Sequence, residues 1–550
     1  MVKAILFIIR IFRKPIEWCG ADFLQLHAIL KAKLTADVRR KPAALGGSGK
    51  KRNFNLQLFF FALMGLFIGI TIFHINSILL SMTINFSFLM VMLTTTFISE
   101  FTSVLFDQRD NYILLPRPIN NRTLLLARVI HIASYLGVIA LALSFFSTLF
   151  CFIHYGWMGG LAYFVGIILS TIFTIFVANS FYLLMMRLTS GEKFKDIIVY
   201  FQVFLAIMLF AGYQFMPRLY ESQEIQTATI NIHWFTYLIP PVWLAGLVDW
   251  ASTPNAPLSS IVLGIVGIVL PFVGLWIMVR FLAPGFNRML SYMENSSDTI
   301  DHKEIRTKRS RRLQDLICVS PMEKAGWQFA MKVSSRDRKF KQAIYPGFGM
   351  IAVMMVVMLK PDFSDFSGWL ETLAESKKYL SFIFLGFFGT TAIFQLPFTD
   401  QPKAAWIYKA YPVTRLGDIL TGAIKAMLLK FFIPIYLIAI IPVAYIWGAE
   451  PLIYVMFGGL CIVMLMLASV AITGMELPFT QMREMSQKGN NVAKVFISMF
   501  VLGLIIGVIY LLTFLGPWVT LAAAVVPIGG IALTYRYLRN KLKPTIASIL

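Results

Sequence analysis

The chain has 550 residues, with 49 Lys and Arg against 27 Asp and Glu (net charge +22), 14% charged residues, 58% hydrophobic residues and a mean hydropathy of +0.73. A soluble domain carries about 25% charged residues, so composition excludes an ordinary soluble protein and implies one embedded in a bilayer. The surplus cations lie in the gaps between apolar runs, where membrane topology is written, and this argues against a nucleic-acid partner.

Residues 1–55 form a basic N-terminal segment. The apolar run after Lys3 is broken by Arg10, Arg13 and Lys14 and lacks a small-residue cleavage site, so no cleavable signal peptide is expected. Residues 26–40 (LHAILKAKLTADVRR) read as an amphipathic basic stretch along the inner membrane surface, or as a plain solvated flank. GGSGKK at 46–51 is not a phosphate loop, because that pattern needs glycine where Ala44 stands and Ser or Thr where Lys51 stands.

A helix needs about 20 apolar residues to cross the hydrocarbon. Twelve runs qualify: 57–75, 78–104, 125–153, 161–186, 195–216, 258–283, 342–359, 379–398, 419–447, 452–475, 493–515 and 517–536. They predict an all-α polytopic membrane protein with about twelve transmembrane helices. Six spans fall in a first half (56–283) and six in a second (342–537). A basic linker (284–341) joins the halves, and a short tail (538–550) follows.

Lys and Arg orient the spans. Cations crowd 1–52, 107–124, 187–193, 284–341, 403–415, 483–488 and 536–543, while the opposite loops are nearly free of them, apart from 360–378 where acids balance them. Both termini are therefore expected in the cytoplasm. Six spans per half bring the second half in the same way up, so the two six-helix halves are expected to be parallel repeats.

One segment recurs. Residues 106–122 read FDQRDNYILLPRPINNR, and 399–415 read TDQPKAAWIYKAYPVTR. Each holds Asp-Gln, an aromatic and aliphatic stretch, Pro with a β-branched residue, and Arg fifteen positions after the Asp. Both copies follow the second span of a half and are expected on the cytoplasmic side. A stretch resembling 26–40 also precedes the second half, at 327–341 (WQFAMKVSSRDRKFK). The halves differ between their fifth and sixth spans. The first carries a long excursion (217–257) containing FTYLIPPVWLAGLVDW at 235–250, read as half-inserted or interfacial, and the second has a tight turn.

Enzyme constellations are thin. There is no HExxH, the six histidines (His27, His74, His131, His154, His233, His302) show no ligand spacing, and Cys19, Cys151, Cys318 and Cys461 form no CxxC. No catalytic or metal-ligating residue is assigned and the chain is not expected to be an enzyme. No acidic residue lies near a span centre: Glu100 and Glu476 sit towards cytoplasmic ends, as does Lys430, whose long side chain can snorkel. Energy for transport is therefore expected from outside the membrane. The twin loops are too apolar for free cytoplasmic loops. Tyr112 in one and Trp406 in the other, with flanking cations, suit a knob that docks in a protein groove. The alternative is an aromatic anchor in the lipid interface.

In these residues the chain resembles the permease subunit of ABC-2-type (type V) exporters. Stretches 26–40 and 327–341 match that family's connecting helices, 107–122 and 400–415 its coupling helices, and 235–250 its re-entrant segment. LLPRPINNRTLLLARV (114–129) is similar to a run that recurs there. The resemblance covers nearly the whole chain, but departs in holding two halves per chain and in lacking a second re-entrant segment. It implies that separate ABC ATPase subunits, two copies, dock on the twin loops through Asp107, Arg109, Tyr112, Arg122, Asp400, Lys403, Trp406 and Arg415. No cofactor would bind this chain, since ATP and Mg belong to the partner. A bacterial inner membrane and a hydrophobic or amphipathic cargo are implied. The competing readings are a secondary transporter of the major facilitator type, also 6 + 6, and a membrane-embedded lipid-modifying enzyme.

Overall fold

Helices make up almost all of the described residues, and their boundaries follow the chain's punctuation. The structure, a computed structural model, describes residues 6–7, 9–10, 13–18, 20–39, 54–105, 119, 121–189, 191–221, 230, 233–278, 314–359, 366–399, 402–410, 415–473, 476–482 and 490–541. Two compact units divide between Asp301 and His302.

The first unit contains α1 (Phe23–Arg39), α2 (Phe54–Gly69), α3 (Ile78–Leu105), α4 (Asn121–Leu143), α5 (Phe145–His154), α6 (Gly156–Leu188), α7 (Gly191–Glu221), α8 (Pro240–Ser252) and α9 (Leu258–Ile277). The second contains α10 (Pro321–Arg336), α11 (Arg338–Leu359), α12 (Ser381–Gln395) and α13 (Leu416–Met427). A π turn at Leu428–Phe432 leads from α13 into α14 (Ile433–Trp447). Then come α15 (Ala449–Thr473), α16 (Asn490–Leu515), α17 (Pro517–Ala523) and α18 (Val525–Lys541).

The described parts of all twelve apolar runs lie mainly on helices. Among the described residues seven helices are long and apolar enough to cross a bilayer, or eight if the α4–α5 pair, bent by 51°, is one span. Stretches 58–74, 196–212 and 500–515 are apolar but shorter, and α12 has 15 residues. The chain is therefore an all-α membrane protein.

Inside the first unit, several threonines of α3 and the side chain of Asn85 find partners close by, as an apolar surrounding favours. Thr83, Thr94, Thr95 and Thr96 of α3 each donate to the carbonyl four residues back, at 2.6, 2.7, 2.8 and 2.9 Å. Asn85 Nδ2 donates to Thr71 Oγ1 (2.9 Å) and Ser81 O (2.9 Å), and its Oδ1 accepts from Ser147 Oγ (3.0 Å). These buried bonds tie the break after α2 to α3 and α5.

Helix α8 explains the excursion. Pro240 and Pro241 occupy its first turn, where a missing N–H costs nothing and φ is already helical. Its 13 residues reach about 20 Å, too short for a hydrocarbon core of about 30 Å. Yet Val242 to Val248 are all buried, against α9, α3 and α6. Small residues permit that approach: a Cβ on Gly246 would meet Leu263 Cβ at 2.5 Å, and one on Gly267 would meet Trp243 O at 2.9 Å. Asp249, near the end of α8, accepts from Ser260 Oγ at 2.5 Å and so closes the hairpin onto α9.

In the second unit α10 packs on α13, and α13 on α18. The lead-in helix begins at Pro321, six residues before the stretch read from sequence, with Ser320 as its N-cap, and breaks at Asp337, whose Oδ1 caps α11 by accepting from Phe340 N–H (3.0 Å). The start signal was present in Ser320-Pro321-Met322-Glu323: an N-cap serine, proline at the first position and glutamate at the third.

Candidate functional site

The described part of the second twin loop is built mainly of two short helical turns. Pro402–Trp406 is a 3₁₀ turn followed by a helical turn, Ile407–Ala410. Residues three apart eclipse in a 3₁₀ turn, so Lys403 and Trp406 share one side. Lys403 is exposed and Trp406 is 65% exposed. A large aromatic so displayed, with a cation beside it, is chemistry for a partner groove or a headgroup layer.

Its base is held from below. Tyr408 donates its hydroxyl to Pro478 O at 3.0 Å, and its ring meets Phe329 of α10 at 6.2 Å. Phe479, at φ 57°, packs on Phe329 (5.6 Å) and on Phe340 of α11 (5.9 Å). That backbone conformation is unfavourable for a bulky residue. Its N–H bonds Leu396 O at 2.9 Å. Strands β1 (Phe398–Thr399) and β2 (Gln481–Met482) pair in parallel. The segment 476–482 thus joins the loop, α10 and α11.

Sequence reading missed this clamp, though a signal existed. The tetrapeptide Leu-Pro-Phe-Thr occurs at 396–399 and again at 477–480, and the two copies lie side by side. Burial of the Tyr408 hydroxyl holds its pKa well above the ordinary range. The unfolded chain then ionises first as pH rises past about 10, so stability falls with pH there. Tyr408→Phe is expected to cost about 1 kcal/mol by loss of one hydrogen bond and to flatten that alkaline decline, read from thermal unfolding at a series of pH values.

Beneath the loop lies a buried charge network. Glu323 Oε1 accepts from Lys425 Nζ (2.7 Å) and Tyr535 OH (2.9 Å), and Oε2 from Val319 N–H (2.7 Å). Lys425 also donates to Ile317 O at 2.9 Å. Asp418 Oδ1 accepts from Arg539 Nε (2.8 Å), and Oδ2 from Ser320 Oγ (2.8 Å). The Glu323 and Asp418 side chains are 2% and 5% exposed. Two ion pairs so join α10, α13 and α18 where α13 leaves the loop.

A related joint exists in the first unit. Asp22 Oδ1 caps α1 by accepting from Leu24 N–H (2.8 Å) and Gln25 N–H (3.2 Å), and the Asp22 N–H donates to Thr123 Oγ1 (2.9 Å). Thr123 is the third residue of α4, as Asp418 is the third of α13. In each unit the cap of the lead-in helix is bonded to that position.

The remaining expected residues are placed as follows. Asp107, Arg109, Tyr112 and Asp400 lie outside the described residues. Arg122 is the second residue of α4 and Glu100 falls in α3, but neither side chain is among those described. Arg415 is exposed and precedes α13 as its N-cap residue. Glu476 is half-buried between α15 and β2, and Lys430 stands on the π turn. Lys403 and Trp406 are therefore the pair that the structure brings together.

Among the described residues no group of three His, Cys, Asp or Glu side chains is placed to hold a metal ion. Cys151, Cys318 and Cys461 are buried thiols outside any disulfide. Searches against protein-family models, curated proteins and solved structures return no match.

Proposed function

We propose that the chain is the membrane permease subunit of an ATP-driven exporter of the ABC-2 kind, moving a hydrophobic or amphipathic cargo across a bacterial inner membrane. Separate ATPase subunits supply the power, one docking on each twin loop. ATP and Mg bind to those partners. The observation that carries this reading is Trp406, displayed beside Lys403 on a turn whose base is stitched to α10, α11 and 476–482. A lipid anchor needs an exposed aromatic; it does not need a base tied to several helices. A loop that receives a mechanical push does.

Three further features support the reading. The chain divides into two units. Each unit bonds the cap of a lead-in helix to the third residue of the helix after the twin loop, as two parallel six-span repeats would. The buried short helix α8 supports a re-entrant segment before the last span of the first half. On this reading both loops and both termini face the cytoplasm. ATP-driven movement of the loops would then open a path alternately to each side.

The test is co-purification from native membrane. An ATPase subunit is expected to accompany the wild-type chain. Trp406→Ala is expected to weaken its retention by about 2 kcal/mol, roughly thirtyfold. The double variant with Tyr112→Ala should release it, while the chain stays inserted. Full retention of the partner by the double variant overturns the docking role. Proton-driven transport in vesicles lacking ATP overturns the exporter reading.

A further inference from the structure

Lys430 is not part of either ion pair. It stands on the π turn between α13 and α14, an irregularity often found at functional positions. Its Nζ donates to Ser334 Oγ at 2.9 Å and Ser335 Oγ at 2.8 Å, in the last turn of α10. Both hydroxyls donate in turn to Met331 O, at 3.3 and 2.8 Å. They hold the ammonium in place but carry no charge. An ammonium has three donors, so one N–H remains.

The charge that acts on Lys430 from nearby is a second cation, Lys341 in the first turn of α11. Among the described residues no carboxylate lies within ion-pair distance of Lys430. The contrast with Lys425 is plain: five residues earlier on the same face of the bundle, that lysine has Glu323. A partly desolvated charge with a like charge beside it is costly unless an anion joins them. The surrounding stretch 332–341 holds Lys332, Arg336, Arg338, Lys339 and Lys341 against one acid, Asp337, and the Asp337 carboxylate caps α11. Helix α10 ends here and α11, long and apolar enough to cross a bilayer, begins; a basic stretch beside such a helix is what draws lipid phosphates.

We propose that Lys430 and Lys341, with Ser334 and Ser335 as positioning residues, form a binding site for a phosphate group, carried by an anionic phospholipid headgroup or by a soluble phosphate. The ammonium groups supply the charge and the remaining N–H of Lys430 a direct hydrogen bond. The site does not depend on the permease reading and would stand if no ATPase bound.

The full chain is placed in nanodiscs of phosphatidylcholine with increasing phosphatidylglycerol, and retained lipid is counted by native mass spectrometry. Wild type is expected to keep phosphatidylglycerol, and Lys430→Gln to bind it about tenfold more weakly, the loss of one charge-assisted bond. Lys341→Gln, at a half-buried helix start, should weaken it too and guards against a folding fault in the first variant. Lys332→Gln, an exposed cation on α10, should leave retention unchanged. In a second arm, inorganic phosphate is titrated against the thermal midpoint at constant ionic strength. A lysine-dependent lipid loss assigns the headgroup, and a lysine-dependent phosphate shift assigns the soluble ion. Equal lipid retention and equal phosphate response in wild type, Lys430→Gln and Lys341→Gln overturn the proposal.

Discussion

Replacing Lys425 with methionine is expected to destabilise the second unit by about 3 kcal/mol, and Glu323→Leu by a similar amount. Glu323 is 2% exposed and accepts three bonds, so loss of the lysine leaves a carboxylate that water cannot reach. Loss of the glutamate strands Lys425 beside Ile317 O and the Tyr535 hydroxyl. The exposed pair Lys324–Asp315, at 2.6 Å but with side chains 37% and 63% exposed, serves as the control. Removing it should cost less than about 1 kcal/mol. Thermal unfolding of the purified chain, followed by accessibility of the buried thiol Cys318, reads all of these. The double variant Glu323→Leu with Lys425→Met should recover much of the loss, because a paired burial replaced by apolar groups is often neutral. Single variants as stable as wild type would mean that the pair is solvated, and the joint between α10, α13 and α18 would lose its explanation.

The second large effect is steric. A Cβ added to Gly326 of α10 would run into Ile419 O of α13, and one on Gly422 of α13 would run into Glu323 O of α10. Each glycine thus lets the other helix's backbone come close, and backbone cannot swing aside as a side-chain tip can. Gly326→Leu or Gly422→Leu is expected to force the helices apart, at a cost of about 3 kcal/mol or more from overpacking alone. Separation would also lengthen the Glu323–Lys425 bond, so the total should exceed the steric part. Alanine at either site should be the milder version, and Gly137→Ala, where nothing lies within 4 Å, should be nearly silent. The measurement is the yield of monodisperse chain and its thermal midpoint. Wild-type behaviour of both leucine variants would refute the close crossing.

Much of this architecture was legible beforehand. Apolar runs located the helices because a bilayer imposes a length and a composition that ordinary cores do not. The apolar excursion at 235–250 marked the region of α8, and the duplicated Asp-Gln segment marked the loop. The rest was hidden for physical reasons. Glu323 and Asp418 lie about a hundred residues from their partners Lys425 and Ser320, and no local period announces such a pairing. Run length gave no sign of the breaks at Ile70 and at Ser144, because a break leaves hydropathy unchanged. Leu-Pro-Phe-Thr at 477–480 is too short to stand out until its twin at 396–399 is seen beside it. Lys430 read as a snorkelling lysine, since nothing in its neighbours along the chain reveals that its hydrogen-bond partners are two serines on another helix.

The shortness of α8 bears on how the protein is made. Thirteen residues cannot be retained in lipid by their own hydrophobicity, and need a receptacle of protein. Two of the three walls of that receptacle, α3 and α6, precede α8 in the chain, while the third, α9, follows it after five residues. During synthesis the cradle is therefore assembled before its occupant leaves the ribosome, and the next segment to emerge is the one that seals it in.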